Sequence, residues 1–220
     1  MSRIYAPTPM PERAIIDRYT RLASSLVSDV FDRWSGTGIL PISGYQSGQV
    51  VVGPALTVRT RPGDNLAVHK ALDLARPGEV LVVDAGGGVD RAILGGLMGY
   101  YASRRGIAAL VVDGAVRDRS DLECKAPPIW ARGICQLGPY KDGPGDLRCP
   151  VSIGGLAIHD GDLIIADEDG ITSVPRGRTE ELLPLAEAKA KDEQEQFAAI
   201  EADAWDRSWV DPAMQPDEVH

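Results

Sequence analysis

The fold is decided by one continuous stretch, residues 80–118, which reads VLVVDAGGGVDRAILGGLMGYYASRRGIAALVVDGAVRD. It contains two short apolar runs, 80–83 and 109–112, and each has the composition of a strand buried on both faces of a sheet. Between them, the pattern predicts a helix at about 91–104, which Gly106 ends. Two strands joined by one helix are most simply parallel neighbours in an α/β sheet.

Both apolar runs end in an aspartate, Asp84 and Asp113, and glycines follow each of them closely. In open α/β sheets, ligands bind beyond the carboxyl ends of parallel strands, and glycine there lets the backbone approach a ligand. A helix that begins near residues 91–96 presents free N–H groups and its positive dipole end to an anion. The alternative is a tight turn without a ligand. The glycines do not match the dinucleotide-binding pattern, and no phosphate-loop lysine follows them.

The segment 113–118, Asp-Gly-Ala-Val-Arg-Asp, forms the other half of the predicted site. Arg117 is suited to bind a carboxylate through two parallel hydrogen bonds. Asp118 is suited to ligate Mg²⁺, which takes one or two carboxylates and keeps several waters. The alternative is that both are surface charges in a turn. We therefore predict that the Gly-rich turn 85–96 faces this segment and that together they hold a carboxylate ligand and a divalent metal.

The residues that precede this stretch begin a single domain, which we place at residues 1–210. An arm at 1–12 leads into N-terminal helices within 12–35, and a loop at 36–48 is rich in Gly, Pro and Ser. The next predicted elements are strands at 50–52 and 55–60, split by Gly53-Pro54, a turn at 62–65 and a helix at 66–74.

The residues that follow it complete a core at about 20–178 with short strands. The predicted strands lie at 129–131, 151–153 and 156–158, and a hairpin joins 163–166 to 171–174 around Asp169-Gly170. A C-terminal helix is predicted at about 180–205, and the tail at 211–220 is predicted to be disordered.

Composition and charge indicate which partners the protein is not expected to have and in which compartment it is expected to work. The chain has 220 residues, and its formal net charge of −9 comes without any long Lys/Arg cluster, so a nucleic-acid partner is not expected. No apolar run approaches the roughly 18 residues of a membrane helix, so no membrane partner is expected. Its three cysteines are an odd number without a signal peptide, which favours the reducing cytoplasm.

Several of these motifs together resemble the RraA-like family, whose best-known enzymes are 4-hydroxy-4-methyl-2-oxoglutarate and 4-carboxy-4-hydroxy-2-oxoadipate aldolases. The motifs are PGDNLAVHKA at 62–71, VVDAGG at 82–87, DGAVRD at 113–118, and the pair GD and ADEDG within 161–170 followed by Val174-Pro175. The resemblance covers residues 20–190. It implies an α/β fold with a swivelling β/β/α core, N-terminal helices and a C-terminal helix. It also implies a homotrimer or homohexamer with sites between subunits.

The resemblance further implies a divalent-metal-dependent lyase acting on a 2-oxo acid. Mg²⁺ or Mn²⁺ polarises the 2-oxo group, and retro-aldol cleavage gives a pyruvate enolate, which oxaloacetate decarboxylation also gives. By position, Asp118 is the metal ligand and Arg117 binds the substrate carboxylate and oxo group. Gly95 and Gly96 line the substrate site, and the backbone N–H groups of Leu97 and Met98 receive the other carboxylate oxygen.

The chain departs from the aldolase pattern at Gly96, where the aldolases carry Asp or Glu twenty residues before Arg-Asp, and at Asp90, where they carry glycine. In the aldolases, this carboxylate holds metal-bound waters and helps proton transfer, which contributes a factor of about 10²–10⁴ in rate. One hypothesis is that Asp90 supplies it as a catalytic residue. The alternatives are that Asp90 caps a helix beginning at Arg91, or that Gly96 enlarges the pocket for another substrate.

Two other functions stay open from the sequence. Some members of the family bind ribonuclease E and inhibit it without chemistry, and a family enzyme with altered chemistry would explain Gly96. Three further residues have two interpretations each. His69 is structural or catalytic, Asp29 faces the site or caps a helix, and Arg91 binds a second carboxylate or is solvated.

Overall fold

The structure is a computed structural model that describes residues 1–214. Its strands are β1 Arg3–Ile4, β2 Leu40–Ser43, β3 Val51–Thr60, β4 Val80–Asp84, β5 Ala92–Leu94, β6 Ala109–Val116, β7 Ile129–Ile134, β8 Gly145–Leu147, β9 Val151–Ile153, β10 Leu156–Ile158, β11 Leu163–Asp167 and β12 Gly170–Val174. Its helices are α1 Arg13–Tyr19, α2 Ser24–Asp29, α3 Leu66–Leu74, α4 Gly96–Arg104, α5 Arg119–Lys125, α6 Thr179–Glu201 and α7 Val210–Met214.

Four parallel strands, in the order β3-β4-β6-β7, form the centre of a large mixed sheet. Val80 pairs with Ala109 and the register continues to Asp84 opposite Asp113, so the two predicted strands are parallel neighbours. Every residue of β6 is buried, as expected for a strand covered on both faces. The predicted α/β fold class is confirmed, and the carboxyl ends of β4 and β6 lie at one edge.

Antiparallel strands extend this centre on both sides. β2 pairs with β7, β8 pairs with β3, and the hairpin of β11 and β12 joins the first half of β3. β9 and β10 form a separate two-stranded sheet. None of the helices within residues 1–214 is long and apolar enough to cross a membrane.

Three hydrophobic clusters hold the layers together. One packs α3, α4 and α5 against one face of the parallel sheet, a second packs β9, β10 and Trp130 against the other face, and the third joins α1, α2 and α6 to the hairpin. Each fully buried aliphatic or aromatic side chain contributes about 1.5–3 kcal/mol relative to exposure. The first cluster anchors α4 and α5 beside the ends of β4 and β6.

The helix predicted at 91–104 is wrong in its first turn. Residues Ala92–Leu94 form β5, which pairs in parallel with the last residues of β6, and α4 begins only at Gly96. All three β5 side chains are buried, and Ala92 N–H donates to the carbonyl of Leu137. Tertiary pairing therefore overrides the helical spacing at these positions.

Three other local predictions need correction, and the predicted arm gains a strand. The loop at 36–48 contains β2, and Gly53-Pro54 do not split β3, because Pro54 precedes the pairing with β4, which begins at Ala55. The arm at 1–12 is tied down by β1, which pairs with β8. Of the tail predicted to be disordered, residues up to Met214 belong to α7, and 215–220 lie outside the described residues.

Candidate functional site

A cleft of about 120 Å³ opens beside the carboxyl end of β6, where β5, α3 and α4 converge. Its walls include most of the residues that the sequence predicts for the site. They also include residues that the sequence does not predict. The lining residues are Asn65, His69, Leu94, Gly95, Leu97, Met98, Arg117, Asp118, Pro139 and Lys141. Parallel strands therefore place the cleft where ligands of open α/β sheets bind.

Arg117 and Asp118 follow directly after β6 and turn the chain sharply into α5. Arg117 N–H donates to the carbonyl of Leu94 at 3.0 Å, which extends the pairing of β6 with β5. Asp118 has a φ of +60°, a left-handed conformation that few residues other than glycine, asparagine and aspartate adopt readily. The two side chains remain 40% and 44% exposed, and Arg117 Nε lies 3.6 Å from Asp118 Oδ2. Both groups are thus available to a ligand.

The start of α4 forms the facing wall. Gly96 N–H donates to Asp118 Oδ2 at 3.1 Å. A Cβ atom on Gly95 would overlap that same oxygen and lie 2.9 Å from Arg117 Cγ, so only glycine allows this approach. The N–H groups of Leu97 and Met98 belong to the first turn, which has no intrahelical acceptors. The two segments predicted to face each other are therefore in contact, and the wall is suited to an anion.

The third wall comes from α3 and the turn before it. Asn65 Nδ2 donates to the carbonyl of Ile93 at 2.8 Å, which fixes the amide, whereas Asn65 Oδ1 is buried and has no partner within residues 1–214. His69 Nε2, one helical turn further, is also buried without a partner in that range. Burial lowers the pKa of His69, and the nearby charge of Lys141 lowers it further. The imidazole is therefore neutral near pH 7.

A loop at 137–141 also lines the cleft, and the sequence did not predict it. Its backbone is fixed by Tyr140 N–H, which donates to the carbonyl of Gly63 at 2.8 Å, and by Asn65 N–H, which donates to that of Tyr140 at 3.0 Å. Pro139 and Lys141 from this loop line the cleft. The cleft therefore has a cation from Arg117 and a second cation from Lys141. No local sequence pattern marks Lys141, because only the loop's pairing with the turn at 62–65 brings it there.

Other predicted residues lie outside the cleft. Asp90 is exposed, and the structure does not bring it together with Arg117 and Asp118. It does not cap a helix either, because strand β5 follows it. Arg91 stacks on the ring of Tyr140, 4.1 Å from its centre, and donates to the carbonyl of Gly138. Asp29 is exposed on α2, away from the lining residues.

The aspartates that end the two central strands hold loops in place. Asp113 pairs with Arg132 and accepts the N–H of Gly154 at 2.9 Å. Asp84 accepts the N–H groups of Gly86 at 3.1 Å and Ser152 at 3.2 Å. Because all four carboxylate oxygens already have partners, Asp84 holds the Gly-rich turn, Asp113 holds the loop at Gly154, and neither is free to bind a ligand.

The residues of the cleft fit a cation that needs few protein ligands. Within residues 1–214, no group of three or more His, Cys, Asp or Glu side chains is arranged to hold a metal ion. That excludes a closed zinc-type cage in the described part of the chain. It leaves the mode typical of Mg²⁺, in which one or two carboxylates bind and waters and substrate complete the shell. Asp118 has the oxygen chemistry and the exposure for this mode.

Comparison with known proteins places this chain in a family. The model of the RraA-like family, described as aldolase/RraA, matches residues 24–172. The chain belongs to the RraA-like family. A Halalkalibacterium halodurans protein, provisionally named 4-hydroxy-4-methyl-2-oxoglutarate aldolase, is 39% identical over 187 residues, which are 84% of this chain and 88% of the relative. The 4-hydroxy-4-methyl-2-oxoglutarate aldolase of Thermus thermophilus is 36% identical over 112 residues, 51% of this chain and 68% of its own.

Solved structures of the RraA-like family share the fold. RraAS2 of Streptomyces coelicolor, described as an unusual member of the RNase ES inhibitor RraA protein family, superposes with a TM-score of 0.73 at 28% identity, over 87% of this chain and 99% of its own. The family resemblance and the fold class predicted from the sequence are thus confirmed. The names of the sequence relatives support an aldolase-family function.

Proposed function

We propose that the protein is a divalent-metal-dependent lyase that cleaves a 4-hydroxy-2-oxo diacid to pyruvate, decarboxylates oxaloacetate, or does both. The observation that carries the proposal is the meeting of Arg117, Asp118 and the first turn of α4 in one cleft. A 2-oxo acid has a carboxylate and an oxo oxygen on adjacent carbons, and this wall offers a guanidinium and backbone donors side by side.

Each group of the cleft has its own part in substrate binding and cleavage. Arg117 binds the substrate carboxylate and the oxo oxygen, while the N–H groups of Leu97 and Met98 receive the other carboxylate oxygen. Gly95 lines the cleft and lets the substrate lie against the backbone, whereas the space beside Gly96 is taken by Asp121. In the retro-aldol cleavage, the C3–C4 bond breaks, the C4 hydroxyl passes its proton to solvent and becomes a carbonyl, and the electron pair of the broken bond forms the enolate of pyruvate. The enolate then takes a proton from solvent at C3 to give pyruvate. Arg117 stabilises the negative charge that develops on the oxo oxygen.

We assign the metal to Asp118. Mg²⁺ or Mn²⁺, when bound, supplies Lewis-acid polarisation of the 2-oxo group. The carboxylate is held for this by the Gly96 N–H, which orients one of its oxygens. Outer partners of this kind tune metal affinity.

The second cation of the cleft supports a diacid substrate. Lys141 offers a charge for a second carboxylate, and Nε2 of His69, which has no partner within residues 1–214, offers a polar atom beside it. The hypothesis that Asp90 supplies the carboxylate absent at Gly96 stays a prediction. Full activity of an Asp90→Ala variant would contradict it.

We also propose that the protein works in the cytoplasm as a homotrimer or homohexamer. Large apolar side chains near the cleft support self-association, because exposed apolar patches commonly mark interfaces. They include Leu97, which is 89% exposed, and Val89, Ile134 and Leu137, each about half exposed.

Pyruvate release tests the proposal. The purified protein with Mg²⁺ is given oxaloacetate or 4-hydroxy-4-methyl-2-oxoglutarate, and pyruvate is measured against a blank with Mg²⁺ and no protein, because oxaloacetate also decays unaided. We expect release that a chelator abolishes and that Asp118→Asn lacks. Rates equal to the blank with both substrates would refute the lyase.

A second candidate function is regulation of ribonuclease E without catalysis. It is favoured by the structural similarity to RraAS2, which belongs to a family of RNase ES inhibitors. Direct binding of purified ribonuclease E, with inhibition of its cleavage and no pyruvate release, would support this function instead. An enzyme of the same family with altered chemistry would bind Mg²⁺ and pyruvate but cleave neither substrate.

A further inference from the structure

Arg91 holds the loop at 137–141 from outside the cleft. Its guanidinium donates to the carbonyl of Gly138, stacks 4.1 Å from the centre of the Tyr140 ring and lies 3.3 Å from the Tyr140 hydroxyl. Its aliphatic stem packs on Gly63, where a Cβ atom would lie 2.9 Å from Arg91 Cδ. Arg91 does not line the cleft, and these contacts tie it to the two turns beside it.

The same loop packs against Arg117. A Cβ atom on Gly138 would lie 2.6 Å from Arg117 Nη1 and 3.5 Å from its Cζ, so the guanidinium occupies the space beside this glycine. Arg117 Nε lies 3.6 Å from Asp118 Oδ2, which is beyond hydrogen-bond distance, and within residues 1–214 the guanidinium donates no hydrogen bond. The backbone of Gly138 is therefore a surface that limits where the guanidinium points.

We propose that Arg91 is a positioning residue, which together with Tyr140 forms a latch that fixes Gly138 and thereby the direction of the Arg117 guanidinium. The inference rests on the proposed function, in which Arg117 binds the substrate. An arginine side chain has many rotamers, and restricting them before a ligand arrives removes part of the entropy cost of binding. This role differs from both interpretations of Arg91 that the sequence left open, because the guanidinium lies outside the cleft and is engaged by the loop.

The far side of the loop is anchored without Arg91. The buried Asp64 accepts the N–H groups of Asp142 and Gly143 at 2.7 and 2.9 Å, and these bonds fix the chain just after the loop. Loss of the Arg91 side chain should therefore loosen the segment at Gly138 without detaching the whole loop. A variant at position 91 can thus be expected to fold, so that its effect on the cleft can be measured.

The first experiment tests the latch without a catalytic readout. Hydrogen exchange of the full chain, followed by mass spectrometry of peptides that cover residues 137–143, measures how readily the loop opens. We expect Arg91→Met to speed exchange in these peptides by at least about 10-fold and to leave the central strands unchanged. Arg104→Met is the matched control, since Arg104 is exposed at the end of α4 and outside the cleft. Equal exchange in the two variants would overturn the latch.

The second experiment asks whether Arg91 acts through Arg117. We expect Arg91→Met to lower kcat/KM for pyruvate release by about 10-fold in the wild-type background, but by less than about 3-fold in the Arg117→Lys background, because residues that act through one group are not additive. A merely structural role predicts the same factor in both backgrounds. Equal factors would therefore overturn the proposal even if the loop exchanges faster.

Tyr140 provides a conservative variant for the other half of the latch. Tyr140→Phe keeps the ring on which Arg91 stacks and loses only the hydroxyl, so kcat/KM should fall by less than about 3-fold. Tyr140→Ala removes the stacking surface and should match Arg91→Met in both exchange and kcat/KM. Equal losses in the phenylalanine and alanine variants would contradict a latch that depends on stacking.

The outcomes separate this inference from the proposed function. If the wild type releases pyruvate while Arg91→Met matches Arg104→Met in exchange and in kcat/KM, the role of Arg91 is overturned and the lyase stands. If the wild type releases no pyruvate from either substrate, the lyase fails, and the role of Arg91 in positioning Arg117 for that reaction is overturned with it. Faster exchange in Arg91→Met would then still show that Arg91 fixes the loop.

Discussion

At the scale of single residues, Arg117 and Asp118 are neighbours with separate tasks. The left-handed backbone at Asp118 turns its carboxylate toward the Gly96 N–H, while Arg117, still paired with Leu94 through its N–H, points into the cleft. A planar guanidinium can bind a carboxylate with two hydrogen bonds, whereas an ammonium acts as a point charge.

Replacing Arg117 with lysine tests this geometry. We expect kcat/KM for pyruvate release to fall by about 10- to 100-fold, because a charged hydrogen bond worth about 1.5–3 kcal/mol is lost while the charge is kept. Arg119→Lys is the control, since Arg119 is exposed and does not line the cleft. Equal kcat/KM values for the two variants would argue against a bidentate role of Arg117.

The second residue-scale prediction concerns the pKa of His69. Burial and the charge of Lys141 both lower it, so Lys141→Met should raise it toward 6.5. Titration of the imidazole protons by NMR measures the change, with the exposed His159 as an internal reference. A His69 pKa that does not move in Lys141→Met would show that Lys141 does not act on the imidazole.

The lowered pKa of His69 makes the free energy of unfolding depend on pH. The unfolded chain binds a proton at His69 at higher pH than the folded chain, so the free energy of unfolding falls as pH drops through about 6.5. It stops falling below the folded pKa. Lys141→Met should raise the folded pKa, so the pH range over which the free energy of unfolding falls should become narrower at its low-pH end.

At the scale of secondary structure elements, the approach of α4 to the end of β6 depends on glycine. Gly95 is the N-cap of α4, and the space next to it is taken by the side chains of Arg117 and Asp118. The helix start, the strand end and α5 thus form one unit, in which a single added methyl group displaces a ligand.

Gly95→Ala should therefore remove Mg²⁺-dependent pyruvate release without unfolding the protein. The added Cβ overlaps Asp118 Oδ2, so Mn²⁺ binding should weaken by at least about 10-fold. Gly177→Ala is the matched control, because nothing lies within 4 Å of a Cβ at that position. Circular dichroism should show the same helix content for both. Undiminished Mn²⁺ binding by Gly95→Ala would mean that Asp118 is not the ligand.

At the scale of the whole molecule, one buried ion network joins the N-terminal arm to the sheet. Arg148 is almost fully buried and donates to Asp160 at 2.9 Å and to Glu79 at 3.1 Å. Asp160 also accepts the N–H and hydroxyl of Thr8, and Arg76 binds Glu79 and the carbonyl of Thr8. Buried charges are tolerated only when they are paired, so the arm is held by charge as well as by β1.

Breaking this network should destabilise the whole fold. Arg148→Met leaves Asp160 buried without its cation, and we expect the free energy of unfolding in urea to fall by about 3–5 kcal/mol. Arg13→Met, which removes an exposed ion pair with Asp17, should change it by less than about 1 kcal/mol. If Arg148→Met lowered the free energy of unfolding by no more than Arg13→Met does, the network would contribute little to stability.

The sequence by itself determined the two central parallel strands and the half of the site that Arg117 and Asp118 form. The apolar runs at 80–83 and 109–112 are long enough and uniform enough to specify two buried parallel strands, and parallel strands fix where a ligand binds. Arg117 and Asp118 follow the second run directly, so their place at the edge of the sheet needed no information from distant residues. Short-range order within one strand–helix–strand unit is encoded locally.

Only the tertiary structure decided the rest. Residues 92–94 have helical spacing but form β5, because the open edge of β6 and the carbonyl of Leu137 offer pairing there. Lys141 enters the cleft through a loop fixed by the turn at 62–65, and Asp121 reaches Gly96 because α4 and α5 pack together. These contacts join residues far apart in the chain, where neither periodicity nor local propensity acts. Asp90, the residue that the sequence offers in place of the carboxylate absent at position 96, is exposed and outside the cleft, whereas Asp121 fills the space beside Gly96.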